Sequence, residues 1–293
     1  MRLLFIVLPG LLLAASLQAH SDPHGEKHPG IQTDEQGNFR ITFSYADSVQ
    51  NGTQFRMSMV IAQDGTELIP RHRLSPSALH ALGLPDSTEE SGYRPNLNYQ
   101  RGPDAEVSAL TTTEGKVRLA LREGNRTSRV TRPLPFDPLG LENIEKYTLT
   151  PDYVAVLSML YASESVPPDD MILRTCRRKG STPGRQLRFR EVGKIYDFPS
   201  ASLPVWVNQR FWVAWVQERG SEEARTWTTV LTGFDPDTGA EEHHDLPGLS
   251  NWNTHVDLVA NAHGTLCAAW TASLDGSYPG FAKIVTAVFP TNR

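Results

Sequence analysis

The sequence predicts an all-β fold made from one repeated antiparallel unit, and three observations carry that prediction. Apolar and polar residues alternate, with the period of a half-buried strand, in Phe39-Arg40-Ile41-Thr42-Phe43-Ser44-Tyr45 and Phe55-Arg56-Met57-Ser58-Met59-Val60-Ile61. Turn dipeptides, Asn51-Gly52 and Asp64-Gly65, separate these runs from each other and from Glu67-Leu68-Ile69. A phrase of apolar strand, variable loop and strand then recurs: Gln209 to Val216 with Thr226 to Leu231, and His263 to Trp270 with Phe281 to Val288. Repetition of such a unit points to a single β-propeller of about five blades, or about six if an insertion hides a degenerate one. A pair of β-sandwiches, which also repeats short strands, is the competing architecture.

Taken in order, the chain opens with Arg2 and the apolar run Leu3 to Leu13, followed by the small residues Ala14, Ala15, Ser16 and Ala19. This reads as a secretory signal over residues 1–19, and implies a periplasmic or secreted protein. The run falls short of the roughly 20 apolar residues a membrane span needs, so no stable membrane anchor is expected. Residues 20–30 read as a polar linker holding His20, His24 and His28. The propeller is expected over residues 31–293.

Its first set of strands is the Phe39 to Ile69 meander. Ser75 as a cap before Pro76, with Leu79 and Leu82 on one side, predicts a short helix in the widest gap. A second set comprises Glu106 to Leu110, Lys116 to Leu121 and Ser128 to Thr131. The third comprises Lys146 to Leu149, Tyr153 to Tyr161, Met171 to Cys176 and Leu187 to Arg190. Leader strands Leu203 to Val207 and His255 to Val259 precede the two repeated pairs quoted above, completing the fourth and fifth sets. Register places Trp215 and Trp270 in equivalent core positions. Cys176 and Cys267 lie in strands of non-neighbouring sets, so both are expected to be buried free thiols.

The recurrent phrase resembles the blades of sialidase-like and BNR-repeat propellers, over Ile144 to Pro290 and more loosely over Gly30 to Phe136. That family's Asp box, Ser-x-Asp-x-Gly-x-Thr-Trp, is represented at Gly220 to Trp227 by its final Thr226-Trp227 alone. Ser273-Leu274-Asp275-Gly276-Ser277 keeps the serine and aspartate but shifts the glycine. The resemblance therefore implies a scaffold and not a chemistry.

A net charge of -5 with no basic run gives no footprint for nucleic acid. There is no Gly-x-Ser-x-Gly elbow, and no spacing picks out an arginine triad or a carboxylate pair. Asp152, Asp257 and Glu106 lie near leader strands that would approach a central tunnel, yet acids that cap turns are the plainer reading. Trp252 and Asn253 just before a leader strand, with His255 at its start, are candidate ligand-binding residues on the loop face. His20, His24 and His28 are candidate copper or zinc ligands, with the His20 α-amine joining its imidazole if cleavage follows Ala19. His243-His244, among acids, reads as a solvated turn. The function expected from these features is recognition of a partner protein or a glycan without catalysis. A sialidase-type glycoside hydrolase and metal binding through the N-terminal histidines are the alternatives.

Overall fold

The computed structural model describes residues 25–46, 54–83, 105–111, 117–124, 130–135, 142–160, 170–179, 184–192, 194–195, 198–221, 226–248, 250, 255–273 and 282–291. Among them every regular element but one is a strand. Blade 1 is the antiparallel run β1 (Gly25–Thr33), β2 (Phe39–Ala46), β3 (Gln54–Ile61) and β4 (Glu67–Arg73). The helix α1 (Pro76–Ala81) follows, capped as expected by Ser75, whose Oγ accepts the Ala78 N–H at 3.2 Å. Blade 2 is β5 (Ala105–Thr111), β6 (Val117–Glu123) and β7 (Val130–Pro133). Blade 3 is β8 (Glu142–Leu149), β9 (Tyr153–Leu160), β10 (Asp170–Arg177) and β11 (Gln186–Phe189).

A minimal hairpin of β12 (Lys194–Ile195) and β13 (Phe198–Pro199) leads into blade 4. That blade is β14 (Val205–Val207), β15 (Arg210–Arg219), β16 (Thr226–Phe234) and β17 (Glu241–Asp245). Blade 5 is β18 (Val256–Ala260), β19 (Thr265–Ser273) and β20 (Ala282–Pro290).

The blades pack face to face as in a propeller: blades 3, 4 and 5 each bury both faces against neighbours, while blades 5 and 1 also join edge to edge in one seven-stranded sheet. Strand alternation makes this possible: odd residues of β15 face one way and even residues the other. Phe211, Val213 and Trp215 pack with Leu157, Leu173 and Phe189 of blade 3. Trp212 and Ala214 pack with Leu258, Ala268 and Trp270 of blade 5. Blade 5 in turn offers Cys267, Ala269 and Ile284 to Phe39, Ile41 and Phe43 of blade 1. Blades 2 and 3 meet through Leu119, Leu121, Val154 and Val156. Trp215 and Trp270 both point toward the preceding blade, the equivalence expected from register. Both cysteines are buried and free, as expected.

Sequence-distant ends close the ring. Gly25 forms a single parallel bridge to Ala282, and its φ of 100° and the Ala282 carbonyl, 2.3 Å from where a Cβ would sit, both require glycine there. Beside it the buried Glu26 accepts the Ile284 N–H at 2.7 Å and ion-pairs with Arg71 at 3.1 Å. Arg71 also donates to the Ile284 carbonyl at 2.7 Å. One acid and one base thus satisfy the edge of β20 from blade 1.

Two readings change. β1 starts at Gly25, inside the stretch expected to be a linker; its polar composition and Pro29 hide a strand that lines the axis instead of filling a seam. His243-His244 belongs to strand β17, an outer edge strand that pairs with β16, and not to a turn. Its alternating charged residues protect the exposed edge from further pairing. Residues 1–24, with the expected signal, His20 and His24, lie outside the described residues. No described helix is long and apolar enough to cross a membrane.

Candidate active site at the tunnel mouth

The first strand of each blade lies nearest the axis, since β1 and β14 both approach β18, and β5 approaches β8. Side chains on these strands are the ones the fold can bring together from distant parts of the chain. Asp257 on β18 is the central member. Its Oδ2 accepts the Ile31 N–H of β1 at 2.8 Å, and its Oδ1 accepts the Leu258 N–H at 2.9 Å. The first of these bonds crosses the seam from blade 5 to blade 1.

Asp257 lies deep in the protein yet keeps partial solvent contact. Burial pushes its carboxyl up to about 6, because desolvation of the anion outweighs the two backbone hydrogen bonds and the positive charge of Lys146. Lys146 comes from β8 of blade 3 and donates to the Ala201 carbonyl beside blade 4.

His255, two residues before Asp257 and so on the same side of the strand, meets His28 of β1 with ring centroids 4.3 Å apart. His28 takes a left-handed φ of 55° at a bulge where the β1–β2 register shifts between Lys27 and Gly30. Bulges re-aim side chains, and strained non-glycine positions concentrate at functional sites. Three blades therefore supply one cluster: His28, Lys146, and the pair His255 and Asp257.

His255, chosen from sequence as a ligand residue, is in this cluster; Trp252 and Asn253 lie outside the described residues. His28, chosen as a metal ligand in a linker, is instead fixed in β1 against His255, while His20 and His24 lie outside the described residues. Among the described residues no group of three or more His, Cys, Asp or Glu is arranged to hold a metal ion. Asp152 occupies the exposed β8–β9 turn, where its carbonyl accepts the Arg178 N–H, and it does not join the cluster. Lys146 was missed because a lone lysine in a strand carries no signal. Only knowledge of which strand lines the axis singles it out.

No protein-family model and no curated protein sequence matches the chain. Solved structures with similar architecture include the α-L-arabinofuranosidase PaAbf62A from Podospora anserina in complex with cellotriose, at 8% identity and TM-score 0.36, covering 93% of this chain and 92% of that one. The GH43_1 enzyme from Xanthomonas citri complexed with xylotriose matches at 11% identity and TM-score 0.36, over 96% and 93% of the two chains. The β-fructofuranosidase BmSUC1 from Bombyx mori matches at 12% identity and TM-score 0.38, over 95% of this chain and 65% of that one.

These are likenesses of fold, without residue correspondence. They replace the sialidase-like and BNR-repeat resemblance with a wider one, to β-propeller folds in general. They also correct the expectation of a binding protein without catalysis: these similar propellers are glycoside hydrolases.

Proposed function

We propose that the chain is a glycoside hydrolase acting at the tunnel mouth, with Asp257 as the proton donor. The observation that carries this is the Asp257 carboxyl, pushed up to about 6 by burial while it keeps partial solvent contact beside His255 and His28. Glycosidic bond cleavage needs a carboxylic acid that still holds its proton near neutral pH, and a hydrophobic or buried setting is the way proteins supply one. In the step, the proton of Asp257 passes to the leaving-group oxygen as the bond from that oxygen to the anomeric carbon breaks. Water then adds to the anomeric carbon and gives up a proton to a second carboxylate. His28 and His255 would bound the sugar on the blade 1 and blade 5 side.

The apolar N-terminal run Leu3 to Leu13 supports export, which would place the enzyme among extracellular or envelope glycans. The test is turnover of a panel of aryl arabinofuranosides, xylosides and fructosides, together with oligosaccharides, by the wild type and Asp257→Asn. Wild-type turnover that falls at least about 100-fold in the variant is expected, the scale of a lost general acid. An active enzyme in which Asp257→Asn retains its rate overturns the assignment, and so does the absence of turnover on every substrate.

A further inference from the structure

A cleft of about 360 Å³ opens between blades 3 and 4, at the end of the molecule away from His255. Its placement follows from strand register. β18 runs away from His255 into the Asn261–Gly264 turn, whose Gly264 carbonyl accepts the Thr291 N–H at 3.3 Å. Asn208, in the β14–β15 turn, donates to Thr291 as well, so that turn shares this end. Phe211, close behind it, pairs with Phe234, which places the β16–β17 turn, Asp235 to Ala240, at the same end. This turn reaches across to blade 3, and Tyr153, Arg177, Arg185, Pro236 and Asp237 line the cleft. Its volume falls in the lower part of the range for small-ligand sites, about 300–1,000 Å³.

Two guanidinium groups are fixed on the walls and open to solvent. The Arg185 carbonyl accepts the Thr175 N–H of β10 at 2.9 Å, and the Arg185 Nε donates to the Asp237 carbonyl of blade 4 at 2.8 Å. The side chain lies against Gly239, where a Cβ would come within 3.1 Å of its Cδ and Nη1. Backbone and side chain are thus both tied, while Nη1 and Nη2 of this exposed residue take no acceptor among the described residues. Arg177 stacks over the Tyr153 ring, with its Cζ 5.2 Å from the centroid, and gives Nη2 to Asp237 Oδ1 at 2.8 Å. Its side chain is 59% exposed, and its Nε and Nη1 remain available at the edge of the fork.

The carboxylate of the cleft is spent on its neighbours. Asp237 Oδ2 accepts the Tyr153 O–H at 2.6 Å, and Oδ1 takes Arg177. Those bonds, that from Tyr153 first, hold the Asp237 carboxyl below the usual range, so it stays ionised and balances one guanidinium. Asp152, on the nearby β8–β9 turn, acts on Arg177 more weakly than Asp237 does. Arg185 has no carboxylate partner among the described residues. One positive charge is therefore left over, beside N–H groups from two planar forks. Such forks match the paired oxygens of carboxylates and phosphates. We infer that this cleft binds a small oxyanion, a carboxylate or phosphate group, between Arg177 and Arg185. The inference does not depend on hydrolysis at Asp257.

The experiment is calorimetry on the full chain at fixed ionic strength, with phosphate, sulfate, citrate and glucuronate as probes and chloride as the background anion. Arg185→Gln and Arg177→Gln each remove one fork from an exposed position, so thermal stability should be held. Arg219→Gln removes the same charge at the opposite end of blade 4 and serves as the control. Saturable binding of at least one probe at a single site is expected. It should weaken at least about tenfold in Arg185→Gln and in Arg177→Gln, the scale of a lost charge-assisted hydrogen bond, and stay at the wild-type level in Arg219→Gln. Phosphate or sulfate bound more tightly than citrate and glucuronate supports the site as one for a tetrahedral anion, and the reverse order supports it as one for a carboxylate. No saturable binding of any probe overturns the inference. An equal loss in Arg219→Gln, which reduces the effect to net charge, or full binding in Arg185→Gln overturns it too.

Discussion

Asp257→Asn should flatten a pH dependence of folding stability that the wild type shows between about pH 4 and pH 7. The carboxyl in the folded chain holds its proton up to about 6, against an ordinary value of 3.8 for the unfolded chain. Below about pH 4 both states are protonated, and the group leaves stability untouched. Between about pH 4 and pH 6 the unfolded chain releases the proton while the folded chain retains it, so stability falls as pH rises. Above about pH 6 the folded chain also ionises and the loss levels off. A displacement from 3.8 to about 6, at about 1.4 kcal/mol per pH unit, amounts to about 3 kcal/mol. Residual solvent in the channel can only screen the charge, so this is the ceiling.

The assay is urea unfolding of wild type and Asp257→Asn at half-unit steps from pH 4 to 8, with the difference in free energy plotted against pH. Other titrating groups cancel in that difference. Asparagine also loses one acceptor for the Ile31 or Leu258 N–H, which displaces the difference by a constant and leaves its slope intact. The variant should gain on the wild type by up to about 3 kcal/mol over the range, roughly 6–12 °C in Tm. A difference that stays flat within about 0.5 kcal/mol, or that slopes the other way, refutes both the burial argument and the case for Asp257 as an acid near neutrality.

Three further outcomes follow from the seams. Glu26→Ala strips the edge of β20 of its acceptor and leaves Arg71 without its carboxylate, so it should destabilise the chain by about 3 kcal/mol in urea unfolding. The Glu26→Ala, Arg71→Ala double variant should then be far from additive. Trp270→Ala, at a fully buried site between blades 4 and 5, should lower stability by about 3–5 kcal/mol in the same assay. Burial holds the Cys176 thiol up to about 11 and pushes Cys267 well above its usual value, so a thiol-specific disulfide reagent should find neither in native protein and both in urea.

The strands that fill seams were legible in the sequence, because a seam needs apolar residues on both faces. Phe211 to Trp215 and Leu266 to Trp270 are continuous apolar runs for that reason, each serving two neighbouring blades. β1 and β17 were not legible, since neither carries a continuous apolar run: β1 meets the blade 5 seam through polar groups and the single apolar Ile31. β17 is an edge whose charges keep it solvated, and β1 carries a bulge at His28 and Pro29 where the alternation breaks. The helix cap at Ser75 was readable because it depends only on neighbours in sequence.

The candidate site is hard to read from sequence for the opposite reason: its geometry is created by ring closure. His28 and His255 belong to the first and last blades, and nothing in either local sequence announces that their rings will meet. What brings them together is the clasp of Glu26, Arg71 and Ile284 with the Gly25–Ala282 bridge, which lies one blade edge away from the Asp257–Ile31 hydrogen bond. The same seam thus joins the first and last blades and sets the position of Asp257. A loosened clasp should therefore cost activity before it unfolds the chain. In a Glu26→Gln variant, which keeps an acceptor for Ile284 but removes the ion pair, turnover should fall by more than the loss of stability alone explains. Turnover that tracks the folded fraction and nothing else would separate the two roles and leave closure as the seam's only task.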